Sequence, residues 1–118
     1  MKIKTELECI LKSMENSIQD ENLYFDAKLI LDELICNGIL HGNKQDANKE
    51  IEVDVEIDEH LIIIQVKDQG NGFDYRKEDA NPMSMESTGR GLFLVDGLSD
   101  ELHIDRNTVR SVKYINRN

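Results

Sequence analysis

Between residues 40 and 51 the spacing of apolar side chains changes period, and that change limits the folds open to the chain. Before it, Leu7, Leu11, Met14 and Ile18 recur at steps of four, three and four residues, which lays one apolar stripe along an amphipathic helix. A second, denser run from about Leu23 to Leu40 carries Ala27, Leu29, Ile30, Leu31, Leu34, Ile35, Cys36, Ile39 and Leu40. It predicts a deeply buried helix, capped at its start by Asp20 or Asn22, which can accept from free N–H groups, and stopped by Gly42. After the change, Ile51, Val53, Val55 and Ile57 alternate with acids, the period of a strand with one wet face. A tight turn at Asp58 and Glu59 joins it to the more fully apolar "HLIIIQVKD" in an antiparallel hairpin. Residues 74–88 hold the only proline and no apolar period, and read as a loop. "GRGLFLVDGL" predicts a short helix, and "ELHIDRNTVRSVKYI" a second hairpin turning near Arg106 and Asn107. Helices, hairpin, loop, helix, hairpin is the order of an α+β two-layer sandwich, a mixed but mostly antiparallel sheet with helices on one face.

The bulk numbers narrow the partners. At 118 residues the chain suits one domain with a core of its own. Its formal net charge of −10 argues against nucleic acid or an anionic membrane, since both are bound by clustered Lys and Arg. No apolar run approaches the length of a membrane span, and "MKIKTELECI" scatters charge where a signal peptide needs a continuous apolar segment. A cytoplasmic location is the expectation. Cys9 and Cys36 fall among apolar neighbours without the paired spacing of a zinc or redox motif, and are expected to be free, buried thiols. His41, His60 and His103 lie on separate elements without a partner at metal-ligand spacing, which points to structural roles.

Three polar stretches carry the chemistry. In "DELICNGILHGN", Glu33, Asn37 and His41 rise from one stripe of the second helix at successive steps of four. They could mark a wet edge, yet Lys28, Asp32 and Asn43 already offer one, and Asn is a middling helix former. Oxygen atoms one turn apart suit a hard cation such as Mg²⁺ with its waters, or a base beside it. In "DQGNGFD", Gly70 and Gly72 leave the backbone unscreened so that main chain can lie flat on a ligand, while Asp68 presents an acceptor at the strand's end. An ordinary Asn, Asp and Gly turn has the same composition. In "STGRGLFLV", Gly89 and Gly91 open a helix whose free N–H groups form an anion site, helped by Arg90 and the hydroxyls of Ser87 and Thr88. No Lys-Ser or Lys-Thr follows, as a P-loop requires, and no strand precedes it, as a dinucleotide fingerprint requires. Four of the chain's seven glycines sit in these two pairs, a concentration that a polyphosphate ligand would use.

Taken in order, "ELICNGILHGN", "DQGNGFD" and "GRGLFLV" resemble the N, first glycine and second glycine boxes of the ATP-binding domain shared by histidine kinases, heat-shock chaperones, gyrase-type topoisomerases and bacterial anti-sigma serine/threonine kinases, the Bergerat fold. The resemblance spans about residues 23–116, and Glu33 with the "HGN" after Asn37 looks most like the anti-sigma kinases of sporulation and general stress. It implies a single ATP-binding domain over 1–118 with a lid at about 75–88. It implies that Asp68 accepts from the exocyclic amine of adenine, that Gly70 and Gly72 pass close to the base and ribose beside Phe73, and that Asn37 holds Mg²⁺. It implies Glu33 as general base. Thr88, Gly89, Arg90, Gly91 and Leu92 would line the phosphates, and Thr108 would stand near the adenine. The implied activity is phosphorylation of a small antagonist protein of the STAS type, with a sigma factor as the regulated partner and a homodimer left open; the alternative is an ATP-gated protein-binding module with little or no transfer. Three features depart from the family pattern: the segment before the second helix is about twenty residues long and lacks an initial strand, "RN" at 106 and 107 stands where a glycine is common, and the lid is short.

Overall fold

The computed structural model describes residues 3–43, 46, 48–70 and 87–115, with the backbone alone at 3–6, 41–42 and 87–90. The elements are α1 (Ile3–Ser17), α2 (Glu21–Asn37), a π-helical turn (Gly38–Gly42), β1 (Glu52–Ile57), β2 (Leu61–Lys67), α3 (Ser87–Leu98), β3 (Glu101–Asp105) and β4 (Thr108–Tyr114). The four strands form one sheet in the order β1-β2-β4-β3, and all three pairings are antiparallel. The chain is thus an α+β fold, and its described strands include no parallel pair.

Alternation along the strands decides which face meets the helices. The register aligns Val53, Val66, Val109 and Ile104 in one row, and Val55, Ile64, Ser111 and Leu102 in another, all turned toward the helices. The row between them, Asp54, Gln65, Arg110 and His103, faces the other side. Against the inner rows sit Met14 of α1, Ile30, Leu31 and Leu34 of α2, and Leu92 and Val95 of α3, each 2% exposed or less. Each such side chain contributes roughly 1.5–3 kcal/mol by leaving water. Two polar side chains between the layers find partners. Ser99 Oγ donates to Val95 O at 2.6 Å and meets Ser111 Oγ at 2.5 Å. Lys113 Nζ reaches across to Leu98 O at 2.8 Å.

Of the two candidate caps, Asp20 takes the role. It is extended (φ −77, ψ 119), and its carboxylate accepts from Asn22 N at 2.9 Å and Leu23 N at 3.1 Å. The far end of α2 does not run on to Leu40 as one α-helix but widens at Gly38, where Asn43 N donates back to Gly38 O at 2.7 Å. Leu40 is consequently exposed beyond it. In the first hairpin Asp58 closes the turn by accepting from His60 N and Leu61 N, and these N–H groups hold its carboxyl below the usual carboxylate range. In the second hairpin Arg106 takes the left-handed conformation, φ 56.

The cysteines are free, as expected, but exposed rather than buried. Helical phase explains both: Cys9 is about 200° from Leu7, and Cys36 about 100° beyond buried Ile35, so each leaves the apolar stripe. A groove of about 380 Å³ runs between α1 and β1, lined by Ile10, Ser13, Ser17, Val53 and Ile57 among others, with no expected site residue in its wall.

Candidate functional site

The second half of α2 is the floor of the candidate site. Asn37 is only 6% exposed, and its Oδ1 is buried with no hydrogen-bond partner among the described residues. Leaving such an acceptor unpaired costs about 1–3 kcal/mol, so the position calls for a partner from outside. An amide oxygen is a hard donor of the kind Mg²⁺ takes alongside waters, and the residue present therefore fits that ion. One turn earlier, Glu33 is half-buried. An added Cβ at Gly91 would lie 2.7 Å from Glu33 Oε2, so the second turn of α3 passes against this carboxylate, and a side chain there would have to displace it.

Gly38 makes the matching contact on the other side. A Cβ there would lie 2.8 Å from Ile51 Cδ1 and 3.6 Å from Asp68 Cβ, so the residue after Asn37 abuts the end of β2. Asp68 is itself buried, 4% exposed, and its Oδ1 accepts from Gly70 N at 2.7 Å in a short Asx turn. Its main chain is held by Asn107: Asp68 N donates to Asn107 O at 3.0 Å, and Asn107 Nδ2 donates to Asp68 O at 2.7 Å. The next residue is held by Asn43, whose Oδ1 accepts from Gln69 N at 2.6 Å while its Nδ2 donates to Glu50 O at 3.1 Å.

These contacts bring Glu33 next to Gly91 and Gly38 next to Asp68, so α2 and the π turn that follows it touch both glycine segments. α3 begins at Ser87, two residues before the first of its glycines, so Gly89 falls in the first turn, where N–H groups have no partner within the helix. Of the other expected residues, Gly70 is in the turn that binds back to Asp68. Leu92 is 1% exposed and gives its side chain to the core. Thr108 pairs with Lys67 in the ladder and is half-buried, while the neighbouring Asn107 is the residue that reaches Asp68. Gly72, Phe73 and the lid as far as 86 lie outside the described residues, as do the side chains of His41, Thr88 and Arg90.

Two residues were missed by the sequence reading. Asn43, expected on the polar edge, is 3% exposed and fully engaged, and Asn107 was expected only as part of a turn. The one available signal was position: an Asn just past a helix-stopping glycine, and an Asn beside a reversal.

Residues 5–113 match the model of the histidine kinase-like ATPase domain, and the chain belongs to that family. It is similar to the serine-protein kinase RsbW of Bacillus subtilis (strain 168), 29% identical over 103 residues that make up 77% of this chain and 64% of that protein. It is likewise similar to the serine-protein kinase RsbW of Bacillus licheniformis, 33% identical over 105 residues, 78% of this chain and 65% of the other. With the anti-sigma F factor of Bacillus subtilis (strain 168) it shares 22% identity over 102 residues, 78% and 70% of the two chains. The chain thus spans just under two thirds of the length of the two kinases. Among the described residues no helix is long and apolar enough to cross a membrane.

Proposed function

We propose that the chain, as one ATP-binding domain over 1–118, is an ATP-dependent serine/threonine protein kinase of the anti-sigma type. Its substrate is a hydroxyl on a small STAS-type antagonist protein, its regulated partner a sigma factor, and its place of action the cytoplasm. The observation that carries this reading is the buried Oδ1 of Asn37, left without a partner among the described residues on the floor of the site. The family match and the names of the relatives support it.

In this reading Asp68 accepts from the exocyclic amine of adenine, where guanine has a carbonyl that would meet the carboxylate as a second acceptor. Gly70 and Gly72 let the main chain lie close to the base beside Phe73. Thr108 stands at the same end of β4. Thr88, Gly89, Arg90 and Gly91, with the N–H groups at the start of α3, face the phosphates, and Leu92 anchors that turn in the core. The stretch from about 75 to the start of α3 serves as the lid. Asn37 holds Mg²⁺, which when bound supplies positive charge against the phosphate oxygens. Glu33 takes the proton from the attacking hydroxyl as its oxygen bonds the γ-phosphorus and ADP leaves, a task set by position first.

Isothermal titration with Mg-ATP, Mg-ADP and Mg-GTP, followed by phosphosite mapping on an antagonist protein from the same organism, tests the reading. Asn37→Ala should abolish Mg-ATP binding. Glu33→Ala should retain binding and lose transfer. Equal affinity for Mg-ATP and Mg-GTP would contradict the role of Asp68, and binding without transfer by the unaltered chain would mark it as an ATP-gated binding module instead.

A further inference from the structure

We propose that Asn43 and Asn107 are positioning residues for base recognition: the two amides grip the peptide after β2 and so preset the Asp68 carboxylate for the adenine amine. The inference rests on the base-reading role proposed above for Asp68.

The β2–β4 ladder ends at the Lys67–Thr108 pair, so the main-chain groups that follow have no strand to bond. Three in succession are nevertheless satisfied, and each by an asparagine. Asp68 N–H goes to the main-chain oxygen of Asn107, Asp68 C=O receives Asn107 Nδ2, and Gln69 N–H goes to Asn43 Oδ1. Asparagine suits this work because one side chain offers both a donor and an acceptor. Asn43 uses both, since its Nδ2 also fixes Glu50 O, and Gln69 Oε1 returns the bond by accepting from Glu50 N at 3.2 Å.

The grip comes from two elements that meet only in the folded chain. Asn43 closes the π turn of α2 with its own N–H, and Asn107 follows Arg106, which holds a left-handed φ of 56 that a non-glycine residue rarely adopts. With its peptide fixed on both sides and Oδ1 engaged by Gly70 N, the Asp68 carboxylate has its direction set before any nucleotide arrives. A pre-set acceptor discriminates between an amine and a carbonyl better than one that can swing aside, because no ordering remains to be done on binding.

A purely architectural role would weaken all nucleotides alike, whereas a positioning role acts on the base. The test is titration of the full chain with Mg-ATP, Mg-GTP and the magnesium complex of purine riboside triphosphate, which lacks the amine. Asn107→Ala and Asn43→Ala should each lower the ATP-to-GTP affinity ratio by about fivefold to tenfold, through lost ATP affinity, with purine riboside triphosphate unchanged. Asn107→Leu keeps the branched shape and removes the donor without adding a charge, so it should show the same loss and serves where the alanine variant does not fold. Asp68→Asn is run in parallel. If it leaves the ratio intact, the base-reading role falls and the inference with it. If it collapses the ratio while the asparagine variants leave it unchanged, or weaken all three nucleotides equally, the positioning role alone is overturned.

Discussion

Cys36 lies on the turn of α2 between Glu33 and Asn37, largely exposed to solvent, and three influences push its thiol up: the partial desolvation of its sulfur first, then the carboxylates of Glu33 and Asp32. That makes it a reporter on the charge of the proposed base. In a Cys9→Ser background, alkylation of Cys36 by iodoacetamide should rise with pH through a range above that of an ordinary thiol, about 8.5. Glu33→Gln removes one of the charges that disfavour the thiolate, so the rate profile should move to lower pH. A profile indifferent to Glu33→Gln would mean that the two groups do not sense each other, and that Glu33 points away from this turn. Glu33 and Asn37 were legible in the sequence because a spacing of four on a helix is geometry already. The exposure of the cysteines was overlooked because hydropathy was weighed without helical phase. Asn43 and Asn107 were illegible for a different reason: a polar residue past a stop glycine or beside a turn is ordinarily solvated, and their contacts arise only when α2 and the second hairpin converge on the end of β2.

Three glycines in α3 and at the end of α2 differ in what surrounds them, and glycine-to-alanine changes should separate accordingly. A Cβ at Gly97 meets nothing within 4 Å, so Gly97→Ala should stabilise the protein by roughly 0.5–1 kcal/mol through the lower entropy of the unfolded chain. A Cβ at Gly38 is met by Ile51, Asp68 and Val66 between two packed layers, so Gly38→Ala should cost about 1–3 kcal/mol by overpacking. At Gly91 the obstacle is the tip of a flexible side chain, Glu33 Oε2. Gly91→Ala should therefore leave thermal stability nearly unchanged while displacing the carboxylate, and phosphotransfer should fall with little loss of nucleotide affinity. Thermal melts and transfer assays on the three variants check the set, and a Gly91→Ala protein that keeps full transfer would separate Glu33 from the chemistry. Element boundaries were readable where a side chain makes them, as Asp20 does for α2. They were not readable at the start of α3, where the glycines taken as the opening lie inside the helix, nor at the widened turn after Asn37, which depends on tertiary contact at Gly38.

At the scale of the whole chain, the order β1-β2-β4-β3 makes β2 and β4 neighbours across an interval of sequence that contains α3 and β3. That adjacency sets Asn107 beside Asp68 and draws α3 onto α2, and no local pattern announces it; the sequence predicted two hairpins and a face for the helices, but not which strands meet. A site assembled in this way couples ligand to global stability, because a nucleotide that touches α2, the end of β2 and the start of α3 binds only the folded arrangement. At a hundredfold excess over Kd the linkage is about 2.7 kcal/mol, which for a domain of this size corresponds to a rise in Tm on the order of 10 °C. Asn37 should reverse sign between the free and bound states. Its buried Oδ1 is uncompensated without ligand, and alanine is the better helix former, so Asn37→Ala should melt at the same temperature as the parent or higher when no nucleotide is present. With Mg-ATP the order should invert, the parent rising and the variant staying in place, the pattern expected where a residue is kept for binding at some expense to the fold. Differential scanning calorimetry of both proteins with and without Mg-ATP measures all four temperatures. A variant that melts several degrees lower on its own, yet still rises with Mg-ATP as the parent does, would make Asn37 a packing residue and leave the candidate site without its floor.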